Sequence, residues 1–285
     1  MKILILGGRG NLGTQLTKVF SEDFETISWD RDDLDVLDFP ALVERVTELR
    51  PSLIINTVAY NAVDKCEDKE EYKLAYKLNA DLPALLAELA LRLGAVLIHY
   101  STDYVFNGVE NKREFTETET PNPINKYGES KFAGEREILK QAEHGLNYYL
   151  IRTSKLFGPR GLSEFAKPSF FEIMLDLAGK QPEVAVVNEE LSCFTYTVDL
   201  AAATKRLWDI ESPYGIYHLI NEGPCTWLEG AVTLFDLKKI KINIKPLRSE
   251  NLLRAARRPK FSVLKNLKIK KLRPFQDALR EYLNN

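Results

Sequence analysis

The stretch MKILILGGRGNLG, Met1 to Gly13, decides the architecture. Lys2 to Leu6 is a short aliphatic run, and Leu12, Leu16, Val19 and Phe20 then recur at helical spacing, so the segment reads as strand, glycine turn and helix. Both Gly7-x-x-Gly10-x-x-Gly13 and Gly8-x-Gly10-x-x-Gly13 fit the turn. Glycines there permit a tight bend and let backbone N–H groups approach a pyrophosphate, an anion that the N-terminus of the next helix also favours. A glycine triplet alone fits a plain tight loop just as well. Its position between a strand and a helix at the start of the chain favours a dinucleotide.

The next strand, Glu25 to Trp29, ends at Asp30, a little under twenty residues past the glycines, where an acid can accept hydrogen bonds from an adenosine ribose. Such an acid repels a 2'-phosphate, whereas Arg9 and Arg31 offset that repulsion, so NADH or NADPH is the expected cofactor. Asp35 to Asp38 leads into a helix, and Leu53 to Ala59 is a buried strand with a polar end at Asn56 and Tyr60. Leu78 to Leu93 has helical periodicity, and Ala95 to Tyr100 is a strand that delivers Thr102. In an open parallel sheet ligands bind beyond the carboxyl ends of strands, which predicts that Gly7, Asp30, Ala59 and Thr102 share one rim.

Asn107 to Asn125 reads as a loop over that rim, Tyr127 as the start of a helix, and Tyr148 to Arg152 as another strand. After Gly158 the pattern loses regularity: Pro159 to Pro168 is loop-like, Phe170 to Leu177 helical and Val184 to Val187 a short strand. Asp199 to Trp208 returns to helix, Gly215 to Ile220 is apolar enough to re-enter the sheet, and two helical patches follow Thr226. The alternation predicts an α/β fold, a Rossmann-type doubly wound parallel sheet with a small C-terminal substrate-binding lobe. Residues 1–157 and 193–220 are assigned to the Rossmann domain, and 158–192 and 221–285 to the lobe.

Composition narrows the function classes. The chain has 285 residues, 45% of them hydrophobic, enough for one large core or a core plus a lobe. A formal net charge of -2 offers no general attraction to nucleic acid or an anionic membrane. Cys66, Cys193 and Cys225 are scattered without metal-ligand spacing, so neither a zinc site nor a disulfide framework is expected and no metal is assigned. The N-terminal apolar run is too short for a signal segment and none approaches membrane-spanning length, which predicts a cytoplasmic protein. A homodimer is compatible with all of this.

The chemistry-bearing stretch is Ile98 to Lys131, which holds Ser101, Thr102 and Asp103 after an apolar run and then Tyr127-Gly-Glu-Ser-Lys131. On a helix Tyr127 and Lys131 share a face, so an ammonium can sit near a phenol. A free tyrosine titrates near ~10, and proton donation near neutrality asks for a drop of roughly three units, or about 4 kcal/mol. A lysine at about 5.5 Å in an effective dielectric of ~20 supplies about 3 kcal/mol. Oxidised nicotinamide would supply the rest, and Thr102 adds a second hydroxyl donor. Taken alone, Tyr-x-x-x-Lys is a common surface pair; its company gives it meaning.

That company resembles the extended short-chain dehydrogenase/reductases and, within them, the dTDP-4-dehydrorhamnose reductases. The strings are GGRGNLG (Gly7 to Gly13), NTVAYNAVDKCE (Asn56 to Glu67), HYSTDYVFNG (His99 to Gly108), PINKYGESKFAGE (Pro123 to Glu135), RTSKLFGPRG (Arg152 to Gly161), TYTVDLA (Thr195 to Ala201) and ARRPKFSVL (Ala256 to Leu264). The resemblance implies a nucleotide-activated 4-keto-6-deoxysugar as substrate, with Thr102, Tyr127 and Lys131 as the catalytic trio. It assigns Gly10, Asn11, Leu12, Asp30, Asp35, Val36, Ala59 and Tyr60 to the cofactor; Gly7 and Gly13 of the turn, Arg9, Arg31 and Asn79 join them, and Tyr127 and Lys131 are expected to meet the cofactor as well. It assigns Asn61, Val63, Asp103 and Tyr104 to the substrate side, and Lys155 to a position facing the sugar.

Three departures stand out. The family usually has histidine where Tyr60 stands, tryptophan where Lys155 stands, and proline where Phe194 stands. Dehydratases of the superfamily carry Thr-Asp-Glu, whereas Thr102-Asp103 is followed here by Tyr104; the epimerase/reductases that make fucose nucleotides use a cysteine and a histidine, and no cysteine accompanies Ser101. Simple reduction is the expected reaction, with another sugar-nucleotide reductase or epimerase as an alternative. A second alternative is the regulatory β-subunit of methionine adenosyltransferase, which resembles the same family but binds a dinucleotide and a partner; such a module has no need of the trio.

Overall fold

The computed structural model describes residues 1–108 and 113–284. Its centre is a six-stranded sheet in the order β2-β1-β3-β4-β5-β9, formed by β1 (Lys2–Leu6), β2 (Glu25–Trp29), β3 (Leu53–Asn56), β4 (Val96–Thr102), β5 (Tyr148–Thr153) and β9 (Gly215–His218). Every pairing is parallel. The connections therefore run through helices, α1 (Asn11–Phe20), α2 (Phe39–Leu49), α3 (Lys69–Tyr76), α4 (Leu82–Leu93), α5 (Lys126–Ala142) and α7 (Thr197–Asp209), which cover both faces. Being covered twice, Ile3, Leu4, Ile5 and Leu6 are all fully buried, with Ile3 and Ile5 in the core on one face and Leu4 and Leu6 in the core on the other. The order of strand addition reverses between β1 and β3, so a crevice opens there at the carboxyl edge, beside the glycine turn.

Three expected boundaries shift by a few residues. β3 stops at Asn56 rather than Ala59, because the Asn56 side-chain oxygen accepts the Val58 N–H at 3.0 Å and turns the chain, while the Thr57 hydroxyl donates to Leu6 O at 2.8 Å. β4 runs on through Thr102, which pairs in register with Thr153. The expected helix from Leu78 starts in a wide π-type turn over Lys77–Asp81, a form that recurs near functional sites. Of the expected loop Asn107 to Asn125, residues 109–112 lie outside the described residues.

Beyond β6 (Leu156–Phe157) the chain builds a second core from α6 (Phe170–Lys180), β7 (Glu183–Val187), β8 (Thr195–Tyr196), α8 (Trp227–Lys238), β10 (Asn243–Leu247) and α9 (Phe275–Asn284). β7 pairs with β10 and β6 with β8. Phe157, Phe171, Phe194 and Tyr196 pack ring against ring at its centre, with centroids 4.7–6.3 Å apart. α7 leads back out of this region to pack on α1, and β9 closes the large sheet. Among the described residues no helix is long and apolar enough to cross a membrane.

Candidate active site

The glycine turn has the expected form. Gly7 is left-handed, with φ at +75°, and a Cβ on Gly13 would lie 2.1 Å from Gly7 O, so only glycine lets α1 start this close to β1. Gly10 is the N-cap of α1 and offers no side-chain cap, and the first turn carries no acid, which leaves the helix N-terminus electropositive. The cradle fits a pyrophosphate. At its outer edge the Asp30 carboxylate accepts the N–H of Arg9 at 3.0 Å and that of Arg31 at 2.8 Å. Leu12, with a cofactor assignment from the resemblance, buries its side chain in the core and has only its backbone to offer.

The 159–168 loop lies across this turn, which the sequence did not announce. Gly161 N–H donates to the Asn11 side chain at 2.8 Å, Asn11 Nδ2 donates to Lys167 O at 2.9 Å, and a Cβ on Gly161 would stand 2.5 Å from Arg9 O. Asn11 thus ties the loop to the helix start. The two arginines expected to offset Asp30 are also engaged: Arg9 bonds Asp32 at 2.6 Å, and the Arg31 guanidinium lies 4.4 Å from the Phe165 ring centre. Asp35 turns to its own backbone, accepting the Leu37 N–H at 3.0 Å, while Val36 packs on the core.

Next along the rim is Ala59-Tyr60. Asn79, from the π-type turn, accepts Tyr60 N–H at 2.9 Å, donates to Tyr60 O at 3.0 Å and donates to the Ser130 hydroxyl at 2.9 Å. It is fully buried with its amide committed, so it supports the Tyr60 backbone rather than facing a ligand. The Tyr60 phenol donates to Glu71, and burial first, then Glu71, holds it protonated. Asn61 accepts from Lys167 at 2.8 Å, and Val63 is half-buried in the loop beyond it.

α5 is positioned by Asn125, whose side chain caps Gly128 N–H at 2.8 Å and donates to Arg257 O at 2.8 Å. A Cβ on Gly128 would come within 2.2 Å of Tyr104 O, so glycine is what lets the helix dock on the end of β4. Docking brings Tyr127 against Tyr104, edge to face with centroids 5.9 Å apart, and puts the phenol beside the Thr102 side chain. Thr102 Oγ1 donates to Asp103 at 3.1 Å, and Ser262, from far along the chain, donates to the other Asp103 oxygen at 2.6 Å. Burial pushes the Asp103 carboxyl up to about 6 against those hydrogen bonds and the charge of Lys155.

Tyr127 and Lys131 do share a face, but the expected depression of the phenol by the lysine is not found. Lys131 Nζ donates instead to Tyr100 O at 2.6 Å, and its own pKa falls to about 8 because it is buried, with Glu135 opposing. Burial is also the largest influence on Tyr127 and raises it, the bond with Thr102 pulling the other way. Helical periodicity places two side chains on one face; it does not reveal an acceptor offered by a neighbouring strand.

Lys155 is neither a surface residue nor an open substitute for an indole. It is left-handed, with φ at +40°, and its Nζ donates to Glu190 O at 3.1 Å and Cys225 O at 3.2 Å while lying 4.2 Å from the Trp227 ring centre and 5.0 Å from that of Phe194. Burial brings its pKa down to about 8, partly offset by the charges of Asp103 and Glu190.

Sequence reasoning missed the support beneath the trio. Glu135 and Arg152 form a buried pair at 2.7 and 3.0 Å, and Ser101, between His99 and Thr102 on β4, donates to Glu135 at 2.5 Å. Glu135 follows Lys131 by another four residues, so helical spacing was the available signal. Arg258 clamps Asp64 at 2.6 and 2.7 Å, joining the ARRP segment to the loop after β3. Among the described residues no group of three or more His, Cys, Asp or Glu side chains is placed to hold a metal.

The family described as RmlD substrate binding domain matches residues 1–285. Spore coat polysaccharide biosynthesis protein SpsK of Bacillus subtilis is 32% identical over 287 residues, covering 99% of this chain and 96% of that protein. The crystal structure of a dTDP-4-dehydrorhamnose reductase from Clostridium acetobutylicum superimposes with a TM-score of 0.91 at 36% identity, over 100% of this chain and 99% of that one. The Bacillus anthracis dTDP-4-dehydrorhamnose reductase, in complex with NADP, also gives 0.91 at 32% identity, over 99% and 98% of the two chains.

Proposed function

The chain belongs to the RmlD substrate binding domain family, and on that premise we propose how its residues divide the work. The protein is an NAD(P)H-dependent oxidoreductase that reduces the 4-keto group of a nucleotide-activated 4-keto-6-deoxysugar, as in dTDP-rhamnose biosynthesis. Residues 1–157 and 193–220 bind the dinucleotide and 158–192 and 221–285 the sugar nucleotide. We place it in the cytoplasm as a homodimer; the three unpaired thiols suit a reducing compartment.

The observation that carries the residue assignment is the meeting of Thr102 and Tyr127 at the carboxyl end of β4, on the rim that holds the glycine turn. Reduced nicotinamide supplies the hydride. Tyr127 donates its proton to the alkoxide that forms on the sugar; a phenol kept protonated by burial is a loaded acid, and an alkoxide is the stronger base. Thr102, turning its hydroxyl away from Asp103, donates a hydrogen bond to the same oxygen. Lys131 holds the nicotinamide ribose, Asp30 the adenosine ribose, and the N–H groups at the start of α1 the pyrophosphate. Incubating the protein with NADH or NADPH and dTDP-, UDP- or GDP-linked 4-keto-6-deoxysugars tests the reading: absorbance loss with the dTDP sugar supports it, and none with any sugar sinks it.

Two expected outcomes follow from particular side chains. Asp30 should make NADH modestly preferred, because Arg9 is already balanced by Asp32; Asp30→Ala should raise NADPH efficiency relative to NADH by about tenfold, the size of one charge-assisted hydrogen bond. Equal or better efficiency with NADPH in the unaltered protein would remove this role. Lys155→Met keeps an apolar stem on Trp227 but removes the charge beside Asp103, and the ranking among keto-sugars should move by about tenfold or more. A folded variant with an unchanged ranking would make Lys155 purely structural.

A further inference from the structure

His99 lies on β4 two residues before Ser101, is 1% exposed, and has a fixed hydrogen-bond chain on either side. Its register partner on β3 is Asn56, itself fully buried. The Asn56 oxygen accepts the Val58 backbone N–H at 3.0 Å, and a backbone N–H can only donate. The amide nitrogen is therefore the end that faces His99 Nδ1 at 3.1 Å, which makes Nδ1 the acceptor. A neutral imidazole that accepts at Nδ1 carries its proton at Nε2. His99 is neutral: burial, then the charge of Lys131, hold its pKa well below the usual histidine value. The Nε2–H so fixed stands 3.4 Å from Lys131 Nζ.

An ammonium at Nζ has only donors to present, and its bond to Tyr100 O at 2.6 Å uses one of them. A further N–H of the ammonium facing His99 Nε2–H sets donor against donor. A neutral amine has a lone pair to accept that proton. We infer that His99, with its tautomer locked by Asn56, is a positioning residue that adds to burial in lowering the proton affinity of Lys131 and so shifts the pH above which the lysine loses its charge. The other groups facing Lys131 are accounted for. Glu135 on its own helix favours the ammonium but is neutralised by Arg152 from β5, Tyr127 is held protonated, and the Tyr100 carbonyl accepts from either form.

The inference rests on the assignment of Lys131 to the nicotinamide ribose. Charge on Lys131 is then needed for efficient turnover, and kcat/KM for keto-sugar reduction falls as pH rises through its pKa, about 8. His99→Leu keeps the site dry and removes the opposed donor, at the cost of the acceptor that Asn56 Nδ2 uses, so the alkaline limb should move up by about one unit. His99→Gln can offer an amide N–H at a similar place and should return the limb toward its original position. A structural role would lower kcat or Tm without moving the limb.

Two measurements decide the matter. ¹⁵N-histidine correlation spectra of the full chain read the tautomer directly. Only three histidines are present, His144 is exposed, and His218 donates through Nδ1 to Lys265 O at 3.1 Å and so carries its proton on Nδ1, unlike His99. The expected result is an Nε2–H signal for His99, assigned by its loss in His99→Gln, together with the upward limb in His99→Leu. An Nδ1–H or imidazolium signal for His99, or a folded His99→Leu with an unmoved limb, overturns the inference. The spectra need neither a folded variant of lowered stability nor a sugar. If the protein reduced no keto-sugar, the functional reading would fail and the tautomer alone would decide this one.

Discussion

Tyr127→Phe should slow reduction by about 10²- to 10⁴-fold, the usual loss when a general acid is removed, while NADH affinity changes little. Phenylalanine keeps the ring that meets Tyr104 edge to face, so α5 should stay docked and only the hydroxyl beside Thr102 is lost. NADH fluorescence titration and single-turnover reduction, run on both proteins, separate the two effects. A variant that reduces sugar at the unaltered rate removes Tyr127 from the mechanism. A variant that loses NADH binding to the same degree as turnover makes the phenol a cofactor ligand rather than the acid.

Glu135→Leu should be the most destabilising single change near the site, at about 3–5 kcal/mol, because it leaves Arg152 buried and charged without its partner. Arg152 is 1% exposed, one of its terminal nitrogens already lacks a hydrogen-bond partner among the described residues, and the Ser101 hydroxyl would lose its acceptor as well. For a chain of this size the fall in Tm is roughly 10 °C. Adding Arg152→Met should recover most of it, since the second change removes the stranded charge and replaces it with apolar volume. Thermal unfolding of the single and double variants checks both halves. A single variant within 1 kcal/mol of the unaltered protein, or a double no better than the single, would mean that the pair is not the support described.

The large sheet was legible because its signals are local. Aliphatic runs such as Ile3 to Leu6, buried on both faces, and glycines at Gly7 and Gly13 that no Cβ could replace are written in consecutive residues. The meeting of Thr102 and Tyr127 was legible at one remove, from strand-end and helix-start placement. What escaped was partner choice across the fold. The lysine of the Tyr-x-x-x-Lys pair selects Tyr100 O from β4, Lys155 selects two carbonyls and two rings of the second core, and Asp103 is met by Ser262. Glu135 and Arg152 resemble solvated charges in an amphipathic pattern; only the packing of α5 over β4 and β5 shows them buried together. The 159–168 loop gave no periodicity to read, and its contact with Asn11 joins residues 150 positions apart.

Transfer of hydride to carbon 4 of the sugar is tested most directly with NADH or NADPH carrying deuterium at carbon 4 of the nicotinamide, on the transferable face. With a dTDP-4-keto-6-deoxysugar as acceptor, mass spectrometry and ¹H NMR of the product should show one deuteron bound to carbon 4 of the sugar. Product without deuterium at that carbon, or no reduced sugar from a protein that binds the cofactor, would contradict the account.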